Sequence, residues 1–293
     1  MALHDEVDLL TGYEGLAHPA AETAAAAPTG RMRHPSLFVP LVTAAMVVAL
    51  AFFVLPLIGL IERAPWSHAL DELRAPEVGA ALRLSLVCSL LAVGLSAILG
   101  LPLAWLLARV EFPGRAVVRA VTALPMVLPP VVGGVALLFA FGRRGFVGHW
   151  LDRTFLLTLP LTTAGVVLAE AFVAMPFFVI TVEAGLRSAD RRLEEAAATL
   201  GASRLTTVWR VTLPLVAPSL GAGAMLCWAR ALGEFGATIT FAGNLPGTTQ
   251  TMPLAVYILL ESRPEGAIIL SLVLLAVSLV VLVLMRERFL PGQ

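Results

Sequence analysis

Arg230 and Glu234 are the residues of greatest chemical interest, because they lie four positions apart inside a long apolar run. Positions i and i+4 share one face of a helix, so the two side chains are predicted to be neighbours. A charge at the bilayer centre costs about 2.5–3.5 kcal/mol on insertion scales and therefore faces other helices or a cavity. With Thr238 one turn further, this face predicts either the lining of a polar pathway or a buried ion pair that locks two helices.

A proline cluster in another apolar run is a second candidate for such a pathway. Pro125, Pro129 and Pro130 interrupt the run at about residues 116–141, and Gly134 permits close helix approach. Bent helices often border cavities, so Pro129 and Pro130 are predicted to line the pathway. A bend that serves packing alone is the alternative.

Several chemistries are excluded or disfavoured. The chain contains no Lys, and a P-loop requires a Lys that contacts the nucleotide phosphates, so no ATP site of that kind is present. Cys88 and Cys227 lie within apolar runs, without the spacing of a metal site, which favours a packing role. We expect no catalytic residue, no metal and no cofactor on this chain. The formal net charge of zero gives no argument for nucleic acid.

The composition identifies the elements that must hold these residues. Of 293 residues, 58% are hydrophobic and 14% are charged, against about 45–50% and about 25% in soluble domains. The sequence therefore predicts an all-α membrane protein, since apolar runs of about 20 residues span a bilayer as helices. About six transmembrane helices are predicted, at residues 37–61, 79–108, 116–141, 161–186, 213–242 and 264–285.

Domain limits and orientation follow from the flanking residues. Residues 1–35 are rich in Ala and Pro and predict a disordered cytoplasmic tail, and residues 36–290 are predicted to form the transmembrane domain. Loops predicted on one side hold Arg31, Arg33, Arg109, Arg115, Arg119, Arg187, Arg191, Arg192, Arg204, Arg210, Arg286 and Arg288. The other side holds Arg63, Arg74, Arg83, Arg143, Arg144, Arg153 and Arg263. The excess of arginines on the first side predicts that both termini are cytoplasmic.

A polar segment at residues 187–212, the coupling segment, lies between two of these spans. Within and just after it, the sequence reads Glu195, Ala196, Ala197, then Gly201, then Leu213 and Pro214. The alanines favour a slim helix, and Gly201 allows a sharp helix end with positive φ. Ser203 is predicted to cap the next helical piece. From propensity alone, an amphipathic surface helix is an equal alternative to a docking element.

The spacing of this segment resembles the EAA signature of permeases of bacterial ABC importers. The departure is Val211, where the signature usually has Ile. The resemblance implies a type I ABC importer permease fold in which the segment is a cytoplasmic coupling helix. Glu195, Ala196, Ala197, Gly201, Leu213 and Pro214 are then the residues that couple the chain to an ATPase.

Two further stretches are similar to one branch of that family, the molybdate permeases. They are residues 123–134 (ALPMVLPPVVGG) and 230–257 (RALGEFGATITFAGNLPGTTQTMPLAVY). Sulfate permeases resemble the second stretch but tend to have Glu-Tyr-Gly where this chain has Glu234, Phe235 and Gly236. The resemblance implies import of molybdate, with tungstate as a second candidate and a sulfate or thiosulfate importer as the alternative. Glu170 departs from the neutral amide common in the family.

The resemblance also implies partners and a location. They are a second copy of the chain, two ABC ATPase subunits that hold ATP and Mg²⁺, an extracytoplasmic molybdate-binding protein and membrane lipid. The chain would be a multi-pass protein of the bacterial inner membrane and a transport subunit, not an enzyme. An ion-coupled secondary transporter is the alternative of another class. It would use Glu170 and Glu234 but would leave the coupling segment unexplained.

Overall fold

The computed structural model describes residues 38–289, and within them every regular element is a helix. The predicted tail at residues 1–35 lies outside these residues. The described chain divides into two compact units, residues 38–54 and 55–289. The helices are α1 (Phe38–Glu62), α2 (Ala69–Arg74), α3 (Pro76–Arg109), α4 (Arg115–Val127), α5 (Pro130–Phe141), α6 (Phe146–Phe155), α7 (Thr163–Ser188), α8 (Arg191–Thr199), α9 (Arg204–Thr207), α10 (Leu213–Leu232), α11 (Gly236–Phe241), α12 (Met252–Ser262) and α13 (Pro264–Phe289).

The first unit is the beginning of α1. Its residues from Val39 to Val54 are apolar apart from Thr43, whose hydroxyl donates to the carbonyl of Val39 at 2.9 Å. A hydroxyl satisfied within its own helix costs little in lipid, so α1 keeps the character of a span.

Long apolar helices dominate the fold, as the sequence predicts. Among residues 38–289, five helical stretches are long and apolar enough to cross a membrane, and the bent pair α4 and α5 makes six if it counts as one span. The residues just before α13 form the short helix α12, and the polar patch after α5 forms the short helix α6. The predicted runs therefore match the observed helices, except at two breaks.

The core of the second unit lies where α3, α7 and α10 pack together. One face of α3 carries small buried residues every three or four positions, which lets neighbouring backbones approach closely. These residues are Ser85, Ser89, Ala92, Ser96, Gly100, Ala104 and Ala108. At Gly100 an added Cβ would lie 3.0 Å from side-chain atoms of Phe178 and Val179 on α7. The close α3–α7 contact therefore depends on this stripe of small residues.

The first break separates α4 from α5, whose axes differ by 118°. The cause is local. A residue before proline is pushed out of the helical region, and here Leu128 precedes Pro129, which itself precedes Pro130. Leu128 and Pro129 have ψ angles of 135° and 131°, and α5 restarts with Pro130 as its first residue. The sequence predicts a kinked span, whereas the structure shows two short helices at a sharp angle.

The second break corrects the predicted single helix at residues 213–242. The helix α10 ends at Leu232, and α11 begins at Gly236. Phe235, with φ −124° and ψ −53°, lies outside regular helical geometry. Hydropathy alone misses this break because the residues in it are not strongly polar apart from Glu234.

Candidate coupling and translocation sites

The first half of the coupling segment forms the short helix α8, which lies between α7 and α9. Asp190 caps its first turn, since its carboxylate accepts a hydrogen bond from the backbone N–H of Arg192 at 3.0 Å. Ala196, Ala197 and Ala198 have high helix propensity, which suits the nine-residue helix. The predicted helix is therefore present, with an acidic cap at its start.

A Schellman motif ends α8. The N–H of Ala202 donates to the carbonyl of Ala197, and the N–H of Gly201 donates to the carbonyl of Ala198, each at 3.0 Å. This closure requires a left-handed residue, and Gly201 has φ +84°. Ser203 then caps α9 by accepting from the N–H of Thr206 at 3.2 Å. Both local predictions, the glycine turn and the serine cap, are confirmed.

A wider helical turn joins α9 to α10. Residues Val208–Thr212 are π-helical, so the chain from Arg204 to Leu232 runs as one helical stretch. Pro214 has no N–H, and its ring would clash with the carbonyl four residues earlier in a regular α-helix, so a wider turn at this place relieves the conflict. The Leu213–Pro214 pair of the motif thus marks the start of α10.

Glu194, which the sequence reasoning did not select, attaches α8 to the membrane helices. Its Oε1 accepts from Arg109 Nη2 at 2.8 Å and from the Thr212 hydroxyl at 3.1 Å. The Arg109 side chain is only 7% exposed, so its charge depends on this partner. In the sequence, this contact is indicated only by the position of each residue. Arg109 is at the end of an apolar run, and Glu194 directly precedes the EAA residues.

The motif residues themselves remain accessible. Glu195 and Ala196 are exposed, and Ala197 is half-buried. Large apolar side chains are exposed around them, and these are Leu193, Leu200, Leu205 and Trp209. Leu200 is 88% exposed at the tip of the segment. Glu194 therefore holds the segment in place while its other face stays open to a partner.

A second ionic cluster joins α4 to α7 at the same end of the helices. Glu183 Oε1 accepts from Arg119 Nη2 at 2.6 Å and from Arg187 Nη2 at 2.9 Å. Arg115 donates to the carbonyl of Leu107 near the end of α3. Arginines from three helices, α3, α4 and α7, are thus fixed close to the coupling segment. This end of the helices, with Arg109, Arg115, Arg119 and Arg187, is the arginine-rich end.

The Arg230–Glu234 pair lies at the break between α10 and α11. Arg230 Nη2 is 2.6 Å from Glu234 Oε2, and the two side chains are 27% and 1% exposed. The other carboxylate oxygen of Glu234 accepts from the N–H of Ala237 at 2.8 Å. The predicted neighbours are therefore paired, but across a helix end and not along one helix. Glu234 holds the break together, which favours the locking alternative for that residue.

The remaining pathway candidates divide by exposure. Thr238 is fully buried, whereas Pro129 and Pro130 are exposed. The start of α5 approaches the start of α11, since a Cβ on Gly236 would lie 2.9 Å from the Cβ of Pro130. Gly134 is equally close, because a Cβ there would lie 2.8 Å from the carbonyl oxygen of Ala237. The structure therefore brings the proline turn and the α10–α11 break together, with Thr238 behind them.

Glu170 is a buried charged residue of α7, 1% exposed, and its Oε2 has no hydrogen-bond partner among residues 38–289. The helix carries it among Val166, Ala169 and Val173, which pack against α11. Glu170 therefore lies on the part of α7 that packs against α11.

This arrangement of apolar helices, with a capped helix between two of them, is that of a multi-pass membrane protein. The chain belongs to the family of binding-protein-dependent transport system inner membrane components, whose profile matches residues 100–287. The family places it in the inner membrane and among transport subunits.

Individual relatives cover most of the chain. It is 43% identical to the molybdenum transport system permease protein ModB of Mycobacterium tuberculosis, over 80% of this chain and 89% of that protein. It is 44% identical to ModB of Escherichia coli K12, over 70% of this chain and 90% of the relative. It is 38% identical to the sulfate transport system permease protein CysT of the same organism, over 74% of this chain and 78% of the relative.

Solved structures confirm the predicted fold class. A bacterial ABC transporter for import of the acidic polysaccharide alginate matches with a TM-score of 0.66 and 21% identity, over 86% of this chain and 94% of that chain. The MetNI methionine ABC transporter, in an inward-facing form, matches with a TM-score of 0.55 and 18% identity, over 74% and 95%. The fold is that of a type I ABC importer permease.

Proposed function

We propose that this chain is the permease subunit of an ATP-driven importer for molybdate, with tungstate as a second substrate. The observation that carries the proposal is the 43–44% identity to relatives named as molybdenum permeases. The identity to the sulfate relative is 38%, so a sulfate or thiosulfate importer is the second candidate.

The proposed assembly contains two copies of the chain, two ABC ATPase subunits and an extracytoplasmic molybdate-binding protein. ATP and Mg²⁺ are bound by the ATPases. The capped helix α8, together with exposed Leu200, Leu205 and Trp209 in the chain that follows it, supports the assignment of the coupling segment as the ATPase contact. Exposed apolar side chains grouped beside polar residues mark sites of protein interaction. In this assembly the coupling segment and both termini are cytoplasmic.

The proposed mechanism follows from how the segment is attached. ATP closes the two ATPases, and each moves the α8 that it holds. Glu194 transmits that motion to the end of α3 through Arg109, and the continuous stretch from Arg204 to Leu232 transmits it to the break before α11. The membrane helices then change from an inward-open to an outward-open arrangement. The binding protein releases its anion into the cavity that opens.

The proposed pathway runs past the proline turn and the α10–α11 break. Arg230 is the partly exposed cation there, and a neighbouring carboxylate keeps it from binding a dianion too tightly. Glu234 and Thr238 support this site from behind, and Pro129 and Pro130 border it. A weak site is sufficient, because selectivity then rests chiefly in the binding protein.

Uptake of labelled molybdate by cells with and without the chain tests the proposal, with excess tungstate or sulfate as competitor. We expect uptake that requires the chain and is blocked by tungstate but not by sulfate. Equal block by sulfate would move the assignment to the sulfate branch. Uptake that persists after ATP depletion would contradict the ATP-driven class and favour an ion-coupled transporter.

A further inference from the structure

A basic cavity of about 660 Å³ lies at the arginine-rich end, where α3 and α7 end and α4 and α8 begin. It is lined by Ala108, Arg109, Glu111, Arg115, Arg187 and Arg191. Two of the arginines have carboxylate partners, since Arg109 pairs with Glu194 and Arg187 pairs with Glu183. Among residues 38–289, Arg115 and Arg191 have no such partner and instead face backbone carbonyls. Glu111 offsets one of these two charges, so the lining keeps an excess of one positive charge.

Guanidinium groups of this kind suit a phosphate. Each carries five N–H donors in a planar fork, and the contacts made by Arg115 and Arg191 leave several donors unused. Basic pockets between membrane helices, at headgroup level, are typical sites for anionic lipid headgroups. The charge alone does not distinguish a lipid from a soluble anion.

An apolar groove of about 420 Å³ lies on the same three membrane helices. It is lined by Leu103 of α3, by Phe172, Met175 and Pro176 of α7, and by Val117, Val118, Val121, Thr122 and Pro125 of α4. The helix α4 starts at the cavity with Arg115 and continues along the groove, so the two features share one wall. Val117 and Val121 present exposed side chains there.

The depth of the groove matches one leaflet of a bilayer. Along α4 the groove extends from Val117 to Pro125, which lie two to ten residues beyond Arg115, or about 3–15 Å at 1.5 Å per residue. Half of a hydrocarbon core of about 30 Å is about 15 Å. A phosphate held by the arginines would thus place its acyl chain along the valines of α4. A soluble oxyanion would use the cavity and leave the groove without a function.

We propose that the cavity and the groove together bind one anionic glycerophospholipid, with its phosphate among Arg109, Arg115, Arg187 and Arg191. The bound lipid would lie directly beside Arg109, which holds α8 through Glu194. The site would therefore couple the lipid composition of the leaflet to the stability of the coupling segment. The proposal depends on membrane insertion and not on which anion is transported.

Lipid retained by the purified transporter complex tests the site. The complex is exchanged into detergent, and phosphatidylglycerol and phosphatidylcholine are quantified per chain by mass spectrometry after each is added. We expect wild type to retain about one phosphatidylglycerol per chain and to exclude phosphatidylcholine. Arg191→Gln should weaken retention about fivefold, because each basic residue near the surface contributes about that factor. Arg192→Gln, an exposed neighbour that does not line the cavity, should match wild type.

A groove variant keeps the test informative if the arginine variant folds poorly. Val121→Trp fills the groove without a change in charge and should also reduce phosphatidylglycerol retention. Normal retention by Val121→Trp, or equal losses from Arg191→Gln and Arg192→Gln, would overturn the proposal. A third outcome would also overturn it. If inorganic phosphate binds the lipid-free complex, displaces phosphatidylglycerol and binds Val121→Trp as it binds wild type, the cavity serves a soluble anion. Uptake of molybdate by the wild type is measured separately, so a failure of the proposed transport function can be distinguished from a failure of the lipid proposal.

Discussion

The coupling segment and the α10–α11 break both interrupt helices, but they do so in opposite surroundings. The coupling segment is exposed, and its turns are closed by its own backbone, caps and Gly201. The break is buried, and a single carboxylate, Glu234, serves both the backbone of α11 and the charge of Arg230. The first has the exposed surface that the proposed ATPase contact requires. The second is a joint inside the bundle that many neighbours constrain.

This difference indicates how each region responds to change. A substitution in the coupling segment should alter contact with a partner and leave the membrane helices intact. A substitution at the break should alter the helices themselves, and transport with them. The variants below separate these outcomes.

Gly201→Val should have the largest effect. A β-branched residue at φ +84° is strained by about 1–3 kcal/mol, and the Schellman motif that ends α8 would open. We expect uptake to fall to background and the ATPase to be lost on copurification, while the chain still inserts. Gly247→Val is the matched control, since Gly247 has φ +74° and lies outside the coupling segment. Loss of the ATPase from both variants would show that strain anywhere has this effect.

Glu234→Ala should be next. It leaves Arg230 without its partner and removes the acceptor for the Ala237 N–H, which together should cost about 2–4 kcal/mol. Thermal unfolding of the detergent-solubilised chain measures this loss. Glu234→Gln keeps an amide oxygen for the Ala237 N–H and should cost about half as much. If both variants unfold like wild type but fail in uptake, Glu234 acts in the pathway and not as a lock.

Glu194→Gln should have an intermediate effect. It weakens the charge-assisted bond to the buried Arg109, which is worth about 1.5–3 kcal/mol. We expect a lower unfolding temperature and less bound ATPase. Glu195→Gln is the neighbouring control, and because Glu195 is exposed its unfolding temperature should be that of wild type. A change in ATPase binding by Glu195→Gln alone would mark it as a direct contact.

Ser203→Ala should have the smallest effect. It removes the cap of α9 and should cost about 1 kcal/mol locally. Because the cap lies in the exposed segment, the effect should appear as faster hydrogen exchange at the amide of Thr206 and not as global destabilisation. Unchanged exchange at that amide would indicate that the π-helical turn, and not the cap, holds α9.

The sequence predicts the local features of this fold and misses the long-range ones. Gly201 and Ser203 carry short-range signals, since a positive φ and a side-chain cap depend on adjacent residues. The spans follow from hydropathy in the same way. The link from Glu194 to Arg109 joins residues 85 positions apart, and no pattern in either neighbourhood specifies that they meet.

The break at residues 233–235 shows a second limit. Hydropathy reads the stretch at 213–242 as one apolar run, and its division depends on how α11 packs against α5 at Gly134 and Pro130. The sequence identified Arg230 and Glu234 as a pair, because the i, i+4 relation survives the helix end. It did not identify Glu234 as the acceptor for the N–H of Ala237 in the first turn of α11, because this bond requires the break.

The most direct test of the central claim is transport by the purified assembly in proteoliposomes. The permease, its ATPase and its binding protein are reconstituted, and labelled molybdate inside the vesicles is measured with and without ATP. The account predicts uptake that requires ATP, the binding protein and an intact coupling segment, so that Gly201→Val gives none. Accumulation that continues without ATP, or that Gly201→Val leaves unchanged, would contradict it.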